Sequence, residues 1–146
     1  MLSFKNFINE SNLVKINGKS VNMTLPSKSK GYKLISIITS KFDDAFKKDT
    51  EYYIGKGGIG SIKGRYKGFE LFVLGGLEEL APGVVIHHAA TDTIEASEVA
   101  VDKNGIVSFI NGRHRYAWLR DHNVNDIQVA MDNQSIVNAK QYGLIK

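Results

Sequence analysis

The chain predicts an α+β fold: a small mixed β-sheet with helices packed beside it. Three observations lead there. The apolar run Ile106 to Ile110 reads as a buried strand, and Val124 to Met131 reads as a second. Between them lie a tight turn at Asn111-Gly112 and a short helix. Elsewhere, strand-like runs such as Tyr32 to Ile38 and Val84 to His88 mix with helical spacings of apolar residues. Finally, 146 residues that are 42% hydrophobic and 23% charged suit one globular domain with a real core.

The elements follow in order. Phe4, Phe7 and Ile8 stand at helical spacing in a separable segment, residues 1–10, closed by Glu10. Residues 12–24 predict two short strands around Asn17-Gly18, and residues 25–31 a loop. After the strand at 32–38, Ser40 caps a helix through Phe42, Ala45 and Phe46. A glycine cluster, residues 55–66, leads as a mobile loop into a helix from about Ile62 to Leu74. Gly75-Gly76 breaks the chain, and Leu77 to Leu80 reads as one helical turn. Ala81-Pro82-Gly83 turns into the strand Val84 to His88. Asp102 to Gly105 is a hairpin-type turn. Ile136, Ala139 and Tyr142 mark a terminal helix over 135–146, with Gly143 near its end.

The composition excludes several classes of function. There is no cysteine, so disulfides, thiolate catalysis and cysteine-based zinc sites are out. This fits a reducing compartment. No apolar run is long enough to cross a membrane, and the first residues are too short and polar for a secretory signal. The net charge of +4 suits an acidic partner such as a nucleotide or nucleic acid.

Candidate chemistry centres on Asn111, Gly112, Arg113, His114 and Arg115. Asn111 reads as the helix N-cap, and Gly112 permits the turn. The next three residues are basic in a first helical turn, where the dipole disfavours cations. That placement makes sense if an anion sits on the turn, held by free N–H groups and the arginines. The other reading pairs the arginines with Glu95 or Glu98. Those two acids could hold Mg²⁺ beside a bound phosphate, or one could serve as general base; the alternative is a solvated acidic surface. Gly55, Gly57 and Gly60 spell G-x-G-x-x-G, but the βαβ context of a dinucleotide site is missing. Lys56, Lys63 and Arg65 make that loop either a lid over an anion or a plain connection. His87 and His88 are adjacent on a strand and face opposite ways, so one strand cannot aim both at a metal. No metal site is assigned. Trp118, the single tryptophan, reads as core.

The strand, Gly-x-x-Arg-type turn and helix over Ile106 to Leu119, with the strand at Val129-Ala130-Met131, resemble the ParB/sulfiredoxin-like superfamily. The resemblance covers about residues 84–131. It implies a turn that binds nucleotide phosphates, carried here by Gly112, Arg113, His114 and Arg115. Members include DNA-partition proteins, a free-serine kinase, nucleases and sulfiredoxin. Sulfiredoxin activity is excluded, because Arg113 stands where its cysteine is needed. Residues 132–146 are too few for the helix-turn-helix domain of partition proteins. The expectation is a stand-alone domain over 11–146 that binds a nucleotide or nucleic-acid phosphate. Glu95, Glu98 and His114 would be catalytic if it performs phosphoryl transfer or phosphodiester cleavage, with Mg²⁺ accompanying the nucleotide. Residues 1–10 also resemble the capsid-targeting peptides of internal head proteins of T-even-type bacteriophages, with Ile8-Asn9-Glu10 as the cleavage triplet. This implies a phage protein of the host cytoplasm or phage head. It also carries a rival expectation: a non-enzymatic virion protein, injected with DNA, that inhibits a host defence enzyme.

Overall fold

A computed structural model describes residues 12–26 and 30–146. The expected targeting peptide, residues 1–10, lies outside them. The described chain is α+β. Strands β1 (Leu13–Ile16), β2 (Lys19–Thr24) and β6 (Thr93–Glu95) form one sheet in the order β1-β2-β6. A second sheet runs β3-β9-β7-β8, from Lys33–Ser36, Gln128–Met131, Ser97–Val101 and Val107–Asn111. A separate antiparallel hairpin joins β4 (Gly76–Ala81) to β5 (Val84–His88). The helices are α1 (Thr39–Phe46), α2 (Arg65–Leu74), α3 (Arg113–Asp121) and α4 (Asn133–Gln141).

The single expected sheet is therefore three. The division falls at Ala96, whose N–H donates to the Thr24 carbonyl at 2.8 Å and finishes pairing with β2. From Ser97 the same chain pairs with Val129 instead. Strand β7 then turns back as β8, and α3 carries the chain across to β9, parallel to β7.

The central strand β9 of the larger sheet is buried along its whole length. Phe42 and Phe46 of α1 meet Phe109 and Tyr116, with ring centroids 4.6 to 6.1 Å apart. Helix α2 meets α3 through Phe69 against Trp118 at 5.6 Å. Trp118, Tyr116, Phe42 and Phe46 are fully buried. Each such side chain contributes roughly 1.5–3 kcal/mol by leaving water. Helix α4 is tied to β7 by polar bonds: Ser135 Oγ accepts from Val101 N–H, and Asn138 donates to the Val101 carbonyl.

Several boundaries differ from the sequence reading. Ser40 lies inside α1; Ile38 is the N-cap, its N–H bonded to the Leu144 carbonyl, so the helix starts before the hydroxyl is reached. Asn111 is not the cap of α3. It ends β8, and Gly112 occupies the cap position. The expected strand at 124–131 shortens to Gln128–Met131, because Asn123 and Asp126 take left-handed conformations. Helix α4 begins at Asn133, where the Asp132 side chain accepts from Ser135 N–H at 2.8 Å. It ends in a Schellman turn: Leu144 N–H reaches Ala139 and Gly143 N–H reaches Lys140. Leu77 to Leu80 is strand, not a helical turn. A bulge between Glu79 and Ala81 breaks the strand alternation and imitates helical spacing.

Candidate functional site

The turn between β8 and α3 is built around Gly112. Its φ of +84° is a conformation only glycine adopts readily. Its carbonyl accepts from Ser97 Oγ at 2.7 Å, which ties the turn to the first residue of β7. The same carbonyl accepts from Tyr116 N–H, the first α-helical bond of α3. No side chain caps this helix. The N–H groups of Arg113, His114 and Arg115 are therefore the unpaired donors of its first turn.

Two clefts flank the turn. They share Arg65, Asn111, Gly112 and His114. The larger, about 340 Å³, adds Phe69, Phe72 and Arg115. The smaller, about 220 Å³, adds Tyr52, Phe109, Ile110 and Arg113. Arg65 is the first residue of α2, so two helix starts converge on the shared wall. Arg113 donates to the Tyr52 carbonyl at 3.2 Å and stands 5.7 Å from the Tyr52 ring centre.

Arg115 is the unusual member. Its Nε and Nη2 are buried and have no hydrogen-bond partner among the described residues. Burial pushes the guanidinium pKa down, while Glu95 and Glu98 pull it back up. Neither acid comes within ion-pair distance, so the sequence alternative of arginine–glutamate pairs is not what the side chains form. A guanidinium remains charged in any case. The site thus holds a cation whose donors are incompletely used, against the wall of an open cleft.

His114 has a different character. It is buried, and its Nε2 accepts from Ile62 N–H at 2.9 Å. That bond requires the neutral Nδ1–H tautomer. Desolvation, then the charges of Arg113 and Arg65, lower its pKa to about 4. The unfolded chain, at the ordinary value of 6.5, binds a proton at a pH where the folded chain does not. The contribution of this group is therefore complete above pH 6.5 and is lost as pH falls toward 4. The expected slope in that window is at most about 1.4 kcal/mol per pH unit. His114→Gln keeps an acceptor for Ile62 but does not titrate. Thermal melts from pH 7 to 4 are expected to flatten in this variant; an unchanged profile assigns the acid sensitivity elsewhere.

Hydrogen bonds tie the glycine loop to α3. Asp121 Oδ2 accepts from Gly57 N–H at 2.9 Å and from Tyr66 OH at 2.7 Å. Asp121 Oδ1 takes Arg120 Nε at 3.0 Å. Arg120 Nη1 donates to Asp43 at 2.9 Å and to the Ile54 carbonyl at 2.6 Å. Asp43 also accepts from Tyr53 and Tyr116. Burial, with Asp43 as neighbour, raises the Tyr53 pKa to about 12. This network fastens α1, the glycine loop and α2 to α3, and so sets where Arg65 stands relative to Gly112.

The expected site residues are distributed unevenly. Asn111, Gly112, Arg113, His114, Arg115 and Arg65 line the clefts. Lys56 and Lys63 are exposed and line neither. Glu95 ends β6 and Glu98 lies on β7, in different sheets, yet both fields reach Arg115. A bulge between Glu98 and Val99 sets Glu98 opposite Asn111. His87 and His88 lie on the β4–β5 hairpin, where His88 Nε2 is 3.0 Å from Glu78. Among the described residues, no three histidine or acidic side chains gather as a metal site, and no helix is long and apolar enough to cross a membrane. Tyr52, Phe69, Phe72 and Phe109 were not anticipated at the site. Tyr52, Phe69 and Phe72 flank the glycine cluster and Phe109 sits in the apolar run before the turn, and in sequence all four are indistinguishable from ordinary core.

The chain matches no protein-family model, no curated protein and no solved structure.

Proposed function

We propose that this protein binds the phosphate of a nucleotide or nucleic acid at the Gly112–Arg115 turn, through a domain of ParB/sulfiredoxin-like type. The observation that carries the reading is Arg115. Burying a cation with unpaired donors costs stability. An anion in the adjoining cleft supplies the missing countercharge, and a small rotation of the guanidinium gives its donors an acceptor. Arg65 and Arg113 supply further positive charge, and the first-turn N–H groups supply neutral donors. His114 enters as a neutral ring whose Nδ1–H is available to donate.

No carboxylate among the described residues lines either cleft, so Mg²⁺ would enter this site only as a companion of the bound phosphates. Bound nucleotide characteristically brings the metal with one or two carboxylates. Glu98, opposite Asn111 in register, and Glu95 line neither cleft, but both carboxylates act on Arg115 and would be the ones to ligate the metal. The metal would screen phosphate charge there and orient the phosphates against Arg115.

The test is a thermal-shift titration with inorganic phosphate and nucleoside triphosphates, with and without Mg²⁺, on wild type and Arg115→Met. A ligand that binds the native state raises Tm by mass action. Arg115→Met is expected to melt no lower than wild type, since methionine needs no donors satisfied, and to lose the ligand shift. A variant that melts far lower yet retains the shift overturns the assignment.

The hairpin β4–β5 favours a second reading. Leu77, Leu80, Val84, Val85 and Ile86 are all exposed on it. Such a patch suits a protein contact, as in a virion protein directed at a host defence enzyme. Folded wild type that responds to no phosphate ligand would leave this reading in place of the first.

A further inference from the structure

The paired clefts say more about the ligand than the turn alone does. A mononucleotide needs one anion site and one pocket for its base. Here the shared wall of Arg65, Asn111, Gly112 and His114 has a cleft on each side. Each cleft has an arginine of its own, Arg115 in one and Arg113 in the other. Each is also edged by a solvent-exposed aromatic ring: Phe72 is 49% exposed and Tyr52 51% exposed. Exposed rings beside cationic walls are the elements of single-strand recognition, in which bases stack on aromatic faces and arginines follow the backbone. In a duplex the bases are already stacked on each other and cannot enter two separate clefts.

We infer that the site takes a single-stranded nucleic acid, with one phosphodiester seated on Gly112 to Arg115 and the flanking bases stacked on Phe72 and Tyr52. The inference rests on the phosphate reading above and adds the substrate class to it. The backbone phosphate lies between Arg65 and the start of α3. The 340 Å³ cleft accepts one nucleoside and the 220 Å³ cleft its neighbour. Loss of one ring leaves the phosphate and the other nucleoside held, so the two aromatic positions act separately.

Calorimetric titration of the intact protein separates the possibilities. The ligands are thymidine monophosphate, the dinucleotide pTpT, a ten-residue oligothymidine and a ten-base-pair duplex. The dinucleotide is expected to bind at least about fivefold tighter than the monophosphate, as stacking of one further base implies. Tyr52→Ala and Phe72→Ala, both half-exposed and so compatible with folding, should each lose about that factor for the dinucleotide. One of the two should leave monophosphate binding untouched. Equal affinity for monophosphate and dinucleotide overturns the single-strand inference and leaves the phosphate reading standing. Tighter binding of the duplex than of the oligothymidine also overturns it. No binding of any ligand by folded wild type overturns both.

Discussion

Arg120→Met is expected to lower the unfolding free energy by about 3–5 kcal/mol, the cost of removing one partner from a buried ionic cluster. In a domain of this size that corresponds to a Tm about 10 °C lower. The side chains of Arg120, Asp43 and Asp121 are 11%, 13% and 7% exposed, so water replaces little of what is lost. Two carboxylates would remain in one buried region, held only by tyrosine hydroxyls and the Gly57 N–H. Arg120→Lys keeps the charge, but a single ammonium cannot reach Asp43, Asp121 and the Ile54 carbonyl together. It should fall between wild type and methionine. Urea unfolding monitored by Trp118 fluorescence measures both, since Trp118 sits two residues away on the same helix. If Arg120→Met unfolds at the wild-type midpoint, the cluster contributes nothing net. The change should also weaken phosphate binding, because the glycine loop that sets Arg65 over the turn is anchored through Asp121.

The same cluster shows where sequence reading reaches its limit. The unit Ile106 to Met131 was legible because its signals are local: an apolar run, a glycine turn, then basic residues out of place at a helix start. The basic turn accordingly lines the clefts. The glutamates could be named but not placed, since a β-bulge and a change of sheet at Ala96 decide which way they face. Asp43, Arg120 and Asp121 were silent. Asp43 and Arg120 are 77 positions apart in the chain, and nothing at either position alone predicts a buried pair. The hairpin at Leu77 was misread for a local reason, a bulge that gave leucines a three-residue spacing. Tyr52 and Phe72 were lost for the opposite reason. Aromatic residues are expected in a core, and only the fold shows that these two are open to solvent.

Gly112→Ala is the second change with a large expected effect, and it tests geometry where Arg115→Met tests charge. At φ +84° a side chain costs roughly 1–2 kcal/mol of backbone strain. Its Cβ would also come within 2.6 Å of Arg115 Nη2, 2.9 Å of Arg115 Cζ and 2.7 Å of Ser97 Oγ. No wild-type arrangement of those two side chains accommodates it. Arg115 must swing away, and the Ser97 hydroxyl must give up its bond to the Gly112 carbonyl or shift the strand that carries it. The summed destabilisation is expected at about 2–4 kcal/mol, with phosphate binding lost. Gly112→Asn separates the causes. Asparagine tolerates the left-handed conformation better than alanine but brings the same Cβ. If strain dominates, the asparagine variant recovers much of the lost stability; if the clash with Arg115 dominates, it is as unstable as alanine. Ser97→Ala removes only the hydrogen bond and should cost about 1 kcal/mol. Binding retained in Ser97→Ala and absent from both Gly112 variants would place the function in the guanidinium packed over the glycine. Binding retained in Gly112→Ala would show that Arg115 need not lie there at all.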